Sequence, residues 1–298
     1  MARTEFEAIG TRWTIDIYDD LAVGSADRLF SMARDRIERF EEDYSRFRAG
    51  SWLTRAGGEP GTHRMPEDAE PLFTAYRDLY RLTGGAFTPL IGQVMEDAGY
   101  DPSYSLKPKT LRLPPSWEQA LDYRFPELKV KTPVRLDVGA AGKGRIIDLV
   151  GGLLEAEGVR SYCVDAGGDL RHRDPSGRSI AVGLEDPSDL KAVIGTVALA
   201  NRCLCGSAGS RRKWDRFHHI IDPRTLASPS EVTAVWTLTP TAMIGDAVAT
   251  CLFFVPPEKL LGAYAFEYLI MYANRSVRKS PGFPAELFGP VDRSPDRR

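Results

Sequence analysis

Residues 136–170 read LDVGAAGKGRIIDLVGGLLEAEGVRSYCVDAGGDL, and the alternation of elements within them decides the fold class. A short strand ending at Leu136 runs into a glycine-rich turn, DVGAAGKGR, residues 137–145. Beyond it Ile146, Val150, Leu153 and Leu154 recur at three- and four-residue spacing. That is the period of a helix with one buried face, which Gly158 ends. A strand over 161–164 then enters a second glycine turn, DAGGDL, residues 165–170. Strand-like segments follow at 180–184, 193–199 and 232–238. A helix over about 241–254, a second from Pro257 and a last strand over 268–272 complete that half of the chain.

Toward the N-terminus, residues 11–18 alternate apolar and polar (Trp13, Ile15, Ile17), the pattern of a half-buried strand. Gly24-Ser25 opens a helix whose Ala33, Ile37, Phe40, Tyr44 and Phe47 form a stripe toward the core. A second helix over 66–83 carries Ala69, Leu72, Phe73, Tyr76 and Leu79 on one face and stops at Gly84-Gly85. Residues 101–116, rich in Pro, Ser and Lys, read as a surface excursion. Runs of strands with flanking helices predict a mixed α+β fold with largely antiparallel sheets. No repeat and no long linker is visible, so residues 1–298 fit one large domain or two interlocked lobes, with 291–298 expected to fray.

Composition excludes several classes. With 43% apolar and 27% charged residues the chain is globular rather than disordered. A net charge of −2 gives no global field for nucleic acid or an anionic membrane, so no nucleic-acid partner is expected. The local exception is Arg211, Arg212, Lys213 and Arg216, for which a solvated turn and a phosphate-facing role are equally open. Cys163, Cys203, Cys205 and Cys251 form no C-x-x-C pair and sit in apolar stretches, as buried free thiols in a reducing compartment do. The N-terminal MARTEFEAIGTRW lacks an apolar h-region and no apolar run is long enough to span a membrane, so a cytoplasmic protein is expected.

Six segments carry residue types suited to chemistry. In DVGAAGKGR, the turn amides, the helix dipole and the Lys143 ammonium together suit a phosphate. It is neither a Walker A loop nor G-x-G-x-x-G, since the spacing fails and no Ser or Thr follows Lys143, so a P-loop hydrolase is excluded. A plain tight turn remains the alternative. In DAGGDL, Gly167-Gly168 permit positive φ or close approach to something flat, and a hairpin turn is the simpler reading. In FHHIIDPRT, residues 217–225, a strand would point His218 and His219 to opposite sides, so at most one faces a site. In TAMIGDAVATCLFF, residues 241–254, Asp246 and Thr250 share one face of an apolar helix. A carboxylate buried there is costly unless paired, and a hard cation with oxygen ligands would pair it. Helix-dipole stabilisation of Asp246, with Thr250 bonded back to a carbonyl, is the other possibility. Finally, YSRFR (44–48) and GGAFTPLIG (84–92) place Phe47, Phe87 and Arg46 where a flat ring system could lie, although core and turn explain each alone.

Taken in order, these segments resemble the ApbE family of flavin transferases. Ser45-Arg46-Phe47 matches a Ser-Arg-Phe element, residues 85–92 match G-A-F-D-P-x-x-G, and 137–144 match D-x-G-G-x-A-K-G. Residues 165–169 match N-x-G-G-D, 207–209 match T-S-G, 219–225 match H-x-I-D-P-x-T, and 245–250 match A-D-A-x-A-T. The sequence departs at Thr88 for Asp, at Ala140 and Gly142 for Gly and Ala, and at Asp165 for Asn. It departs again at Ala208 for Ser and at Leu226 for the Gly after D-P-x-T. The resemblance implies a T-fold-like architecture and a transfer of FMN from FAD to a Thr or Ser hydroxyl of an acceptor protein, releasing AMP. It implies magnesium held by Asp246, Thr250 and the Gly142 carbonyl. Flavin-nucleotide contacts would come from Ser45, Arg46, Phe47, Phe87, Asp137, Gly139, Lys143, Gly144, Gly167, Gly168, Asp169 and Ser207. His219 would assist the acceptor hydroxyl, with Asp222 orienting it or capping its turn. Water in place of the acceptor would make the protein an FAD pyrophosphatase, and loss of the Ala208 hydroxyl is the feature that would suit a non-catalytic FAD-binding module.

Overall fold

The computed structural model describes residues 1–288; the tail expected to fray, 291–298, lies outside the described residues. A hairpin of β1 (Ala2–Ala8) and β2 (Thr11–Ile17) is followed by α1 (Ser25–Tyr44), α2 (Trp52–Gly58), β3 (Gly61–Arg64) and α3 (Ala69–Leu82). Next come α4 (Gly92–Asp97), α5 (Trp117–Ala120), β4 (Leu121–Arg124), β5 (Glu127–Val130) and α6 (Gly139–Ala156). The strands β6 (Tyr162–Ala166), β7 (Asp169–Arg173), β8 (Ile180–Asp186), β9 (Asp189–Leu199) and β10 (Cys203–Ala208) follow, then the short pair β11 (Lys213–Trp214) and β12 (Phe217–His218). The last elements are β13 (Val232–Thr239), α7 (Ala242–Cys251), α8 (Glu258–Leu261), β14 (Glu267–Tyr272), β15 (Val277–Lys279) and β16 (Ala285–Leu287). This is an α+β fold, and every strand pairing among the described residues is antiparallel.

An eight-stranded sheet, ordered β1-β2-β6-β7-β10-β13-β14-β15, forms the frame. Strand alternation divides its side chains between two cores. Trp13, Ile15, Ile17, Val164, Cys203 and Cys205 face the helices α1, α3, α6 and α7. Leu170, Leu204, Trp236 and Leu269 face the small sheet β16-β9-β8 on the other side. A third cluster, Val94, Met95, Trp214, Phe217 and Ile221, joins α4 to the β11–β12 ribbon. All four cysteines are buried and free. No helix among the described residues is long and apolar enough to cross a membrane.

The expected strand at Leu136 is absent. Its backbone makes single bonds to separate loops instead of a ladder: the Val134 amide donates to Gly57 O and the Asp137 amide to Pro89 O, both at 2.7 Å. The glycine-rich turn is the first turn of α6, which begins at Gly139. The strand over 268–272 is not the last, since β15 and β16 follow. DAGGDL is the hairpin turn between β6 and β7, with Ala166 opposite Asp169 and both glycines in the left-handed region. A two-residue turn of that type matches the twist of its strands, and glycine takes it without strain.

Candidate active site

The helices α6 and α7 cross where neither carries a bulky side chain. A Cβ on Gly144 would lie 2.5 Å from the Ala242 carbonyl carbon and 2.7 Å from Met243 Cα. At this crossing the Gly144 amide donates to Asp246 Oδ2 at 2.9 Å. Asp246 is 5% exposed, and burial raises its carboxyl pKa, opposed by the Lys143 ammonium and the Gly144 amide. Lys143 reaches between two carboxylates, donating to Asp169 Oδ2 and lying 3.5 Å from Asp246 Oδ1. Asp169 is fixed from behind by the Gly206 amide at 2.9 Å. Residues 103 positions apart in the sequence thus share one charge cluster, which the hairpin at Gly167-Gly168 and the α6–α7 crossing assemble.

The cluster lies at one end of a cavity of about 400 Å3. Gly142, Lys143, Asp246 and Thr250 line that end, and Gly167, Ser207 and His219 lie on its wall. At the other end an aromatic rim is built around Arg46. Its guanidinium lies over the rings of Phe47 (4.0 Å) and Tyr100 (5.1 Å) and pairs with Asp137 at 2.6 Å, while its Nη1 is buried without a partner. Phe47 is 37% exposed and stacks on Tyr104 with an interplanar angle of 9°. Ser45 follows α1 and lines the wall, as does Phe87, which is buried and stacked on Tyr76. Asp137 caps α6 by accepting from the Gly139 amide at 2.7 Å.

The turn amides expected to cradle a phosphate are largely engaged. Those of Ala141 and Gly142 bond to Val138 O, and those of Gly139 and Gly144 bond to carboxylates. Few N–H groups are left free in this turn, and its remaining charged donor is the Lys143 ammonium. Gly168 is exposed and its amide donates to Asp165 Oδ1 at 2.9 Å. The basic cluster divides: Arg211 and Arg212 line the cavity, whereas Lys213 and Arg216 point to solvent. Arg212 joins two sides of the mouth, donating to the Tyr100 hydroxyl at 3.1 Å and to Gly10 O at 3.3 Å.

The two histidines take different roles. His218 uses both ring nitrogens, Nδ1 accepting from the Ile220 amide and Nε2 donating to Pro229 O. His219 lines the cavity, and its Nδ1 is buried without a partner. Burial, with Arg212, His218 and Lys143 adding positive charge, pushes the His219 pKa down to about 3, so its ring is neutral at physiological pH. Asp222 is the cap of its own turn: its carboxylate accepts from the Arg224 amide at 2.9 Å and from the Arg224 guanidinium at 2.6 Å. It does not line the cavity with His219.

Asp246, Thr250 and the Gly142 backbone offer carboxylate, hydroxyl and carbonyl oxygens, the donors that a hard divalent cation takes. The Thr250 hydroxyl donates to Asp246 O at 3.3 Å, which leaves its lone pairs available. Among the described residues no group of three or more His, Cys, Asp or Glu forms a metal site by itself. A cation here therefore needs oxygens from phosphate or water as well, as magnesium sites usually do.

The departures from the family pattern keep the backbone chemistry. Thr88 Oγ1 accepts from the Leu90 amide at 3.2 Å, and Asp165 accepts from Gly168; the Asp and Asn they replace can do the same. A Cβ on Gly142 would meet Phe40 and Val138 at 3.8 Å, ordinary contact, so the missing methyl is room and not necessity. Leu226 holds the left-handed conformation (φ 57°) that the expected glycine would take without strain. Ala208 lies on the cavity wall, where it supplies no hydroxyl. Sequence reasoning passed over Tyr100 and Tyr104, while Arg212 is the member of the basic cluster that joins Tyr100 at the mouth. The available signal was two rings in GYDPSY, a stretch otherwise polar and turn-forming.

A protein of Escherichia coli (strain K12) named FAD:protein FMN transferase is 26% identical over 296 residues, covering 90% of this chain and 82% of its own. A protein of the same name from Treponema pallidum (strain Nichols) is 26% identical over 316 residues, covering 92% and 85%. In fold, the ApbE protein of Thermotoga maritima matches with a TM-score of 0.82 at 22% identity over 96% of this chain and 99% of its own. The flavin transferase ApbE from Vibrio cholerae matches with a TM-score of 0.79 at 19% identity, covering 95% and 97%. The ApbE family model itself spans residues 9–268, from the first hairpin past the crossing of α6 and α7 into β14, and the chain belongs to the ApbE family.

Proposed function

We propose that this protein is a FAD:protein FMN transferase that binds FAD and, with magnesium, moves its FMN half to a Thr or Ser hydroxyl of an acceptor protein, releasing AMP. The observation that supports this reading is a single cavity with both surfaces such a substrate needs. The Phe47, Tyr100 and Tyr104 rim suits a flat ring system, and the Lys143, Asp169 and Asp246 cluster suits a metal-bound pyrophosphate.

In this reaction the acceptor oxygen forms a bond to the phosphorus on the FMN side of the pyrophosphate. The bond from that phosphorus to the bridging oxygen breaks, and AMP leaves with the electron pair. The hydroxyl proton passes to His219, whose ring is neutral and able to accept it. Anionic phosphate beside His219 raises its pKa from the low value of the free protein and makes it a better base. Lys143 holds phosphate oxygens, and Asp169, buried behind it, keeps the ammonium aimed into the cavity. Arg46, locked by Asp137 and the rings it touches, keeps the aromatic rim rigid, so that little reorganisation is left for the bound state. Magnesium bound through Asp246, Thr250 and the Gly142 carbonyl would neutralise the charge that grows on the leaving phosphate.

The test is incubation with FAD, magnesium and a protein bearing an exposed Thr, followed by separation under denaturing conditions. A transferase yields AMP in step with protein-bound fluorescence that survives denaturation. AMP with free FMN, whether or not acceptor is present, would make it a pyrophosphatase. Intact FAD retained after long incubation with a proven acceptor would make it a binding module, with Ala208 the first residue to change back to Ser.

A further inference from the structure

Helix α7 starts without a cap of its own. Thr241 precedes it in an extended conformation, but its side chain makes no capping bond. The first amides of a helix need acceptors from outside it, and here a neighbouring helix provides them. Asp148 on α6 accepts from the Ala242 amide through Oδ1 and from the Met243 amide through Oδ2, each at 2.9 Å. One turn back along α6, the Gly144 amide donates to Asp246, one turn forward along α7. The two contacts are rungs of an antiparallel crossing. Arg171 fixes the Asp148 rung from the other side: its guanidinium donates to Asp148 Oδ1 at 2.8 Å and to Glu155 at 3.0 Å, and Gly151 leaves it space. Arg171 also balances the charge of Asp148, whose side chain is only 9% exposed.

We propose that Asp148 is a positioning residue for the metal: by clamping the start of α7 onto α6 it sets the separation of Gly142 and Lys143 on one helix from Asp246 and Thr250 on the other. The proposal rests on the metal reading above. Asp148 does not line the cavity and touches neither substrate nor cation directly. Its effect passes through the register of two helices, as outer partners of metal ligands act.

Asp148→Asn keeps the shape but leaves one oxygen for two amides. Binding of Mn2+ to the protein without FAD is followed by electron paramagnetic resonance, and FAD binding in EDTA by flavin fluorescence. The expected result is a loss of about ten- to hundredfold in Mn2+ affinity while FAD affinity changes by less than about twofold. The double variant Asp148→Asn, Thr241→Asp gives α7 its own cap and keeps the protein folded for the measurement. It should recover the unfolding midpoint but not the Mn2+ affinity, because a local cap does not tie α7 to α6. Unchanged Mn2+ affinity in Asp148→Asn, or recovery of both properties in the double variant, would overturn the proposal. Asp246→Asn is the control: if it binds Mn2+ as the wild type does, the metal reading fails, and the proposal with it.

Discussion

Two glycines in the first turns of α6 should respond in opposite directions to the same substitution. Gly144→Ala places a methyl 2.5 Å from the Ala242 carbonyl carbon and 2.7 Å from Met243 Cα, where ordinary contact begins at 3.4 Å. Both neighbours are backbone, and the Ala242 carbonyl oxygen is closer still, so relief requires α7 to move off α6 by about an ångström or more. That shift carries Asp246 away from the Gly144 amide it accepts from at 2.9 Å. Overpacking costs about 1–3 kcal/mol, and a lost hydrogen bond to a charged group about 1.5–3 kcal/mol. Helix propensity returns about 1 kcal/mol, leaving a net loss of about 1.5–5 kcal/mol. Gly142→Ala adds a methyl whose neighbours stand at 3.8 Å. It should gain up to about 1 kcal/mol from propensity and leave the carbonyl in place. Urea unfolding in EDTA measures both, and Mn2+ titration reports the site. The reasoning is refuted if Gly144→Ala unfolds at the wild-type midpoint, or if Gly142→Ala falls as far as Gly144→Ala does.

His219→Ala should lower turnover by about a hundredfold or more, with little change in thermal stability, while His218→Ala, which loses bonds to Pro229 and Ile220, should cost stability and little turnover. The reverse pattern in steady-state kinetics and melting curves would exchange the two roles. Burial raises the Asp246 carboxyl above its ordinary 3.8, so the folded state holds that proton to higher pH than the unfolded chain does. Metal-free stability from this group should therefore decline as pH rises from about 4 through the folded value, and Mn2+ affinity should rise over the same range. Asp246→Asn should flatten the stability profile and abolish the affinity, and a stability profile as steep as the wild type would assign the titration to another group.

Much of the architecture was legible because it is local. The three- and four-residue stripe of Ala33, Ile37, Phe40 and Tyr44 gives α1, the two-residue alternation of Trp13, Ile15 and Ile17 gives β2, and the glycine pairs mark the turns. The missed elements are those whose strands are short or polar. In β3 (GTHR) and β4 (LDYR), four residues hold too little alternation to stand out, and they exist because β5 pairs with both. Leu136 failed in the other direction. It is apolar and follows Val134, yet its neighbours bond to two unrelated loops, and no property of the segment itself records that.

The site divides along the same line. By itself the sequence determined that Asp246 and Thr250 share a helix face, that His218 and His219 diverge, and that Lys143 opens a helix, since each follows from the geometry of a few consecutive residues. Only the tertiary structure decided that the Lys143 ammonium lies between Asp169 and Asp246, that the turn amides are engaged, and that Tyr100 and Tyr104 close the aromatic rim. It also decided that Asp222 pairs with Arg224 and that Asp148 caps a helix 94 residues away. Backbone periodicity fixes the direction of a side chain within one element, but which two directions meet depends on how elements cross. That crossing is set by the space a glycine leaves and by the amides a helix end must satisfy, neither of which can be read from one segment alone.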